Sequence, residues 1–341
     1  MSDKSYRVAV VGATGAVGEA LIAILDERKF PVSELVPLAS ERSAGDVLRF
    51  NARPATVRNL ADYDFAGVDI AFFSAGGAIS AQYAPRAVAA GATVIDNTSH
   101  FRFDADVPLV ISEVNPHAIA AVKARGIIAN PNCSTMQMLV ALAPIHRAVG
   151  IERIEVATYQ SVSGAGRSGM DELGKQALRM LTFKDPEPEK FPVQIAFNLI
   201  PQIDDFQPNG YTKEEMKMVW ETHKILEDES IQVSPTCVRV PVFYGHALAC
   251  HIQTRDPIDV DTARALLEAA PGVVLVDEAV PGGYPTPVTH AAGTDPVYVG
   301  RVRRNLFHDR GLNLWVVADN IRKGAALNAV QIAELLIKGF P

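Results

Sequence analysis

A chain of 341 residues, 48% apolar and 21% charged, has the make-up of an ordinary globular protein with room for two domains, which excludes disordered and fibrous classes. Its formal charge of −7 offers no field to attract nucleic acid and no basic run compensates, so an anionic small molecule would have to be held by individual Arg and Lys side chains. Cys133, Cys237 and Cys250 form neither a CxxC pair nor an even set, and no apolar run reaches the roughly 20 residues of a membrane span; the expectation is a cytoplasmic protein with no disulfide framework, membrane partner or metal site.

The first ninety-odd residues alternate strand and helix signals. "YRVAVVG" is a short β-branched run, "AVGEALIAILDERKF" has helical spacing, and "ELVPLAS", "VDIAFFSA" and "ATVIDNT" are further strands, with "AISAQYAPRAVAAG" helical between the last two. This alternation predicts βαβ units on a parallel sheet, a Rossmann-type α/β domain. The turn after the first strand reads Gly12-Ala-Thr14-Gly15-Ala16-Val17-Gly18. Glycines there allow a tight turn and close approach to a pyrophosphate, which the following helix meets with free N–H groups and its positive dipole end. At the end of the second strand stands Ser40-Glu41-Arg42-Ser43. Arg42 between two hydroxyl donors suits the 2′-phosphate of NADP, although Glu41 points toward NAD.

In "IIANPNCSTMQMLVALAPI" the Asn130-Pro131-Asn132 turn precedes Cys133, and Ser134-Thr135 is read as the cap of a helix through "MQMLVAL". The thiol then stands at a helix N-terminus, where thiolate is favoured. Cys237 and Cys250, inside apolar strands, read as core residues. Beyond residue 150 come a long strand in "RIEVATYQSVSGAG", a helix in "MDELGKQALRML", a Pro-rich stretch in "FKDPEPEKFPVQ", and strands at "TCVRVPVF", "HALACHIQTR" and "LNLWVVAD". The second domain is therefore expected to be α+β on a mixed sheet, and "IRKGAALNAVQIAELLIKGF" to be a terminal amphipathic helix. A thiolate next to a hydride acceptor implies addition to an aldehyde, oxidation of the adduct and an acyl thioester.

The motifs "NPNCST", "TYQSVSGAG", "QIAFNLIPQID", "GYTKEEMKM", "TCVRVPVFYGH" and "GLNLWVVADNIRKGAALNAVQIAE", in this order over nearly the whole chain, resemble aspartate-semialdehyde dehydrogenases. The resemblance implies reversible, NADP-dependent conversion of L-4-aspartyl phosphate to L-aspartate 4-semialdehyde with release of inorganic phosphate, in the biosynthesis of lysine, threonine, methionine and diaminopimelate. It implies Cys133 as nucleophile, Gln160 as the residue orienting the intermediate, and His246 as general acid/base, an imidazole near neutral pKa being suited to take the thiol proton. Arg239, read as lying on one strand with His246, would clamp the substrate carboxylate and Glu215 its ammonium group, while Lys217, Arg102 and Asn132 would hold phosphate. Ser163, Gly164 and Asn320 would join Gly12, Thr14, Gly15, Ala16, Val17, Gly18, Ser40, Arg42 and Ser43 in binding NADP.

By the same resemblance residues 1–130, completed by the helix of 319–341, form the NADP domain, residues 131–318 form the catalytic domain, and the chain is a homodimer. Ala247 stands where members often have Ser, and His100 where a small residue is common. An N-acetyl-glutamyl-phosphate reductase-like enzyme is the alternative of the same chemistry, though its cysteine motif is usually of the Gly-Cys-Tyr type; glyceraldehyde-3-phosphate dehydrogenase shares the thioester logic in a different cysteine context. A non-catalytic NADP-binding protein of the same fold would have no need of Cys133, Gln160 and His246 together.

Overall fold

The computed structural model describes residues 4–339. The chain divides into two compact units, one of residues 1–131 and 325–341, the other of residues 132–324. The first unit carries β1 (Tyr6–Val11), α1 (Ala16–Glu27), β2 (Val32–Ala39), β3 (Val47–Phe50), β4 (Arg53–Thr56), β5 (Arg58–Asn59), β6 (Ile70–Phe73), α2 (Gly77–Ala89), β7 (Thr93–Asp96) and β8 (Ile127–Ala129). Among the described residues, six of these strands form one parallel sheet in the order β5-β2-β1-β6-β7-β8, and β3 and β4 pair as a hairpin. Val8 to Val11 are wholly buried, as befits a parallel strand covered on both faces. The order reverses between β2 and β6 at β1, and the crevice beyond the C-terminal end of such a strand is where open α/β sheets bind ligands.

The second unit carries α3 (Cys133–Val149), β9 (Ile151–Gln160), α4 (Arg167–Leu181), α5 (Lys213–Leu226), β10 (Gln232–Arg239), β11 (His246–Thr254), α6 (Val260–Glu268), β12 (Val273–Leu275), β13 (Val297–Arg304) and β14 (Gly311–Ala318). Its sheet has the order β10-β9-β11-β14-β13-β12, with β10 parallel to β9, β11 antiparallel to β9 and β14, and β13 antiparallel to β14. Period-two alternation buries Ile154, Val156, Thr158 and Gln160 of β9 on one face, and α3 packs against β9, β11, β13 and β14. The other face presents Glu155, Ala157 and Tyr159 of β9, His251 of β11 and Trp315 of β14, all half-buried or exposed.

Helix α7 (Leu327–Ile337) belongs to the first unit, where Leu327, Val330 and Ile332 join Val8, Val10, Leu21 and Leu25 in one apolar core. The second junction falls after Gly324, so Asn320 lies in the second unit. Among the described residues, no helix is long and apolar enough to cross a membrane.

Candidate active site

Cys133 opens α3. The helix is capped one step earlier than the Ser/Thr pattern implied: Asn132 is the N-cap, its Oδ1 accepting the N–H groups of Ser134 at 2.9 Å and Thr135 at 3.2 Å, while Ser134 and Thr135 lie inside the helix. The thiol thus occupies the first helical position, half-buried, beside the positive end of the helix dipole. Cys237 and Cys250 are wholly buried. Burial pushes the Cys250 thiol up to about 12 and, aided by the Glu214 carboxylate, raises that of Cys237 well above its usual value. A thiolate at Cys133 and the Arg239 guanidinium attract one another, the guanidinium being otherwise lowered by its own burial.

Gln160, Arg239 and His246 meet at one end of the central strand. Gln160 is the last residue of β9, Arg239 is its direct register partner on β10, and His246 opens β11 on the other side. The expectation that Arg239 and His246 share a strand is therefore corrected: the chain breaks over residues 240–245, through Pro241 and the positive φ of Gly245, and returns antiparallel. Arg239 Nη1 donates to the Ser161 carbonyl at 2.7 Å. Gly164 lies so close that an added Cβ would stand 2.7 Å from Arg239 Nη1 and 3.3 Å from His246 Nε2.

Helix α5 supplies the charges, and here the sequence expectation fails. Glu215 does not reach the cluster. Its Oε2 accepts the Thr212 N–H at 2.7 Å while Thr212 Oγ1 accepts the Glu215 N–H, a capping box, and its Oε1 accepts the Cys237 N–H. Both oxygens are occupied by backbone. Glu214 is the carboxylate in the site: Oε1 accepts from Asn132 Nδ2 at 2.8 Å and Gln160 Nε2 at 3.3 Å, and Oε2 from Lys217 Nζ at 3.0 Å. Burial raises the Glu214 carboxyl, yet Lys217, Asn132 and Arg239 outweigh it and bring it down to about 2. Lys217 also donates to Asp204 at 2.8 Å, and the two carboxylates raise its ammonium group against burial. The "KEEMK" cluster, which by itself reads as a solvated helix face, is largely buried. Thr212 three residues before Glu215 was the signal that could have told the two glutamates apart.

His246 is wholly buried and its ring is held from one side. Nδ1 is 3.1 Å from the Ser161 backbone nitrogen, which donates to it, and 3.0 Å from Ser161 Oγ. Among the described residues, Nε2 has no hydrogen-bond partner. Burial and then Arg239 lower the imidazole to about 3, with Glu214 and the Gly245 carbonyl opposing. Ser163 and Asn320, expected at the cofactor, are engaged with this support. Asn320 Oδ1 accepts from Ser161 Oγ, Ser163 Oγ and the Gly245 N–H at 3.0–3.1 Å, and its Nδ2 donates to Ser163 Oγ. Ala247 lies on the opposite face of β11, packed with Ala291 and Val317, so the missing serine there leaves His246 untouched.

In the first unit, the Gly12–Gly18 turn follows β1 directly. Gly12 has φ +86°, and a Cβ on Gly18 would lie 2.1 Å from the Gly12 carbonyl oxygen, so helix and turn approach as only glycine permits. Gly15 is the N-cap of α1 and supplies no capping side chain, which leaves the first N–H groups of the helix to an anion. Thr14 lies in the same turn and Ala16 and Val17 open α1, all three partly exposed. Ser40, Arg42 and Ser43 stand in a turn just past β2, with Arg42 exposed. Arg102 is buried after β7 and donates to the Asn97 carbonyl at 2.9 Å; His100 is exposed with its ring edge-on to Phe101.

A glycine-lined nucleotide turn in one unit, and a helix-capped cysteine with a buried histidine and arginine in the other, are the parts of a semialdehyde dehydrogenase. Residues 7–122 match the family described as "Semialdehyde dehydrogenase, NAD binding domain" and residues 142–323 that described as "Semialdehyde dehydrogenase, dimerisation domain". Aspartate-semialdehyde dehydrogenase 2 of Vibrio cholerae is 60% identical over 99% of both chains. The crystal structure of aspartate semialdehyde dehydrogenase II from Vibrio cholerae, complexed with ASA, has a TM-score of 0.97 at 59% identity, covering 99% of this chain and 100% of that one. The enzyme of Candida albicans with NADP has a TM-score of 0.76 at 26% identity, covering 98% and 99%. The chain belongs to the aspartate-semialdehyde dehydrogenase family.

Proposed function

We propose that Cys133 is the nucleophile of an NADP-dependent aspartate-semialdehyde dehydrogenase, which interconverts L-4-aspartyl phosphate and L-aspartate 4-semialdehyde in amino-acid biosynthesis. The observation that carries the assignment is the cluster at the end of β9, where the helix N-terminus bearing Cys133 is tied through Asn132 and Glu214 to Gln160, with Arg239 and His246 on the flanking strands. In the oxidative direction the Cys133 thiolate adds to the aldehyde carbon, oxidation of the adduct leaves an acyl thioester, and phosphate displaces the thiolate to give the acyl phosphate. Arg239, a planar fork beside the cysteine, holds the substrate carboxylate. Glu214, kept ionised by Lys217, is the group for the ammonium of the substrate, a role first expected of Glu215. Lys217 and Arg102 are assigned to phosphate, and Gln160 to orienting the acyl group.

The residues of the first unit fit a dinucleotide phosphate. The turn admits no side chain at Gly18, the helix start is uncapped by any side chain, and Arg42 with Ser40 and Ser43 offers donors for a 2′-phosphate. NADP, when bound, accepts or supplies the hydride. The half-buried face of the second sheet, with Tyr159 and Trp315, is the surface assigned to a homodimer; the odd cysteine set supports a reducing, cytoplasmic setting.

The test is phosphate-dependent reduction of NADP with aspartate semialdehyde set against N-acetyl-glutamate semialdehyde. Only the first should turn over, and omitting phosphate should leave an acyl group on Cys133 by mass mapping. An acyl group found on Cys237 or Cys250 would sink the nucleophile assignment.

A further inference from the structure

We propose that Glu221 is a positioning residue for the nucleophile: reaching across from α5, it takes the backbone N–H of Asn132 that α3 leaves open, and so fixes the turn on which Cys133 stands. The inference rests on the assignment of Cys133 as nucleophile.

The face of α5 raises the question. Its buried residues Glu214, Lys217, Met218, Glu221, Thr222 and Ile225 recur at helical spacing, the pattern of a core-facing stripe. The stripe nonetheless carries Glu214, Lys217 and Glu221 where apolar side chains would suffice. Glu214 and Lys217 pair with one another. Glu221 lies one turn further along and is wholly buried. An apolar side chain of similar volume would fill its place without the cost of desolvating a carboxyl, so its task is something other than filling the core.

That task is visible at α3, which packs on α5. Glu221 Oε2 accepts the Asn132 N–H at 2.6 Å, between residues 89 apart in the chain. In a capping box, the N–H of the N-cap residue is taken by a Glu or Gln side chain at the third helical position. In α3 that position is Thr135, whose side chain is too short to reach back and whose Oγ1, among the described residues, is buried without a hydrogen-bond partner. Helix α5 has a complete box of its own in Thr212 and Glu215. Glu221 supplies to α3 from outside what Glu215 supplies to α5 from within. Glu214 Oε1 accepts Asn132 Nδ2 at 2.8 Å, so the residue before the cysteine is gripped by side chain and by backbone from two points of one helix, about two turns apart.

The consequence for the chemistry is geometric. Cys133 is the next residue, the first of the helix, and its Cβ is closely packed: a Cβ added to Gly324 would stand 2.8 Å from it. Without Glu221 the Asn132 N–H would be a buried donor with its bond unmade. The turn would then shift to satisfy it and carry the sulfur along. Addition to the aldehyde requires the sulfur at near-attack distance, and a displacement of about 1 Å costs on the order of 100-fold in rate.

The test uses the full-length enzyme and the phosphate-free burst of reduced cofactor, at saturating NADP and semialdehyde. Glu221→Leu keeps the bulk and removes the acceptor. Its burst rate constant should fall about 10- to 100-fold at the wild-type amplitude, with NADP affinity unchanged. A purely structural role would lower the amplitude by the fraction of enzyme lost and leave the rate constant of the remainder alone; that result, or an unaltered burst, would overturn the proposal. In protein carrying 15N-asparagine, with the Asn132 amide assigned by its loss in Asn132→Ser, the amide proton should lie downfield, as a short bond to a carboxyl requires, and move upfield in Glu221→Leu. An unmoved resonance would equally refute the contact. Should Glu221→Leu not fold, Glu221→Asp, which withdraws the carboxyl by one methylene, takes its place in both measurements with the same expectations and the same refutations. Mass mapping of the acyl group separates the two readings: an acyl group on Cys133 with a burst indifferent to residue 221 sinks this inference alone, whereas one on Cys237 or Cys250 sinks the nucleophile assignment and this inference with it.

Discussion

Replacing Glu214 by Gln keeps the outline of the side chain and removes the charge around which Lys217, Asn132 and Gln160 are arranged. The carboxyl stands at about 2 against an ordinary 4.5, with Lys217 the leading group that overcomes burial, an interval worth on the order of 3 kcal/mol. Because the folded value is the lower one, that contribution is complete above about pH 4.5 and fades as the pH falls toward 2. Urea unfolding, followed by Trp220 on α5 and Trp315 on β14 at fixed protein concentration, should therefore find Glu214→Gln less stable than wild type by roughly 3 kcal/mol at neutral pH, with the gap closing in acid. The KM for the semialdehyde should rise about 10- to 150-fold, the equivalent of one bond of about 1.5–3 kcal/mol to a charged group. Glu215→Gln should lower stability through the capping box and leave that KM alone. A raised KM in Glu215→Gln with an unchanged one in Glu214→Gln would refute the reassignment. A stability gap that stayed constant into acid would show that Glu214 is not held ionised.

Three further outcomes are expected. Arg42→Ala should weaken NADP by about 1.5–3 kcal/mol and leave NAD nearly unaffected; equal losses in a binding titration would mean that Arg42 faces something other than the 2′-phosphate. Lys217→Ala should raise the KM for phosphate more than it slows the phosphate-free burst of reduced cofactor, because acylation of Cys133 precedes phosphate attack; a suppressed burst with an unchanged phosphate KM would contradict its assignment. Arg239→Lys keeps the charge but loses the fork, so kcat/KM for the semialdehyde should fall by a factor on the order of ten or more, a loss that steady-state titration would detect.

What the sequence made legible was local. Gly12 to Gly18 after a β-branched run, and Cys133 after an Asn-Pro-Asn turn, each announce their backbone geometry within a few residues. Asn132 was readable as the cap, since Asn ranks with Ser at that position, but the Ser-Thr pair drew attention away from it. Strand β13 escaped because Gly300 and the positive φ of Arg301 interrupt its alternation at a register shift. The β3–β4 hairpin escaped because its turn uses Asn51-Ala52, both at positive φ, and lacks the usual glycine. The burial of Glu214 and Lys217 could not be read from "KEEMK", because a charge pair that is worth little on a surface becomes specific only when tertiary packing removes the water around it. The support of His246 by Ser161 was equally hidden, as it depends on a contact between residues 85 apart in the chain.

Asn132 spends every polar atom it has. Its oxygen starts α3, its amide holds Glu214 at 2.8 Å, and its backbone N–H is taken by Glu221 of α5 at 2.6 Å. Aspartate, its nearest relative in shape, would cap the helix equally well but would set a second buried carboxylate against Glu214, so that one of the two would have to keep a proton at neutral pH. At this position the mildest substitution by size is among the harshest by charge, so divergence here has to proceed through residues that look less similar.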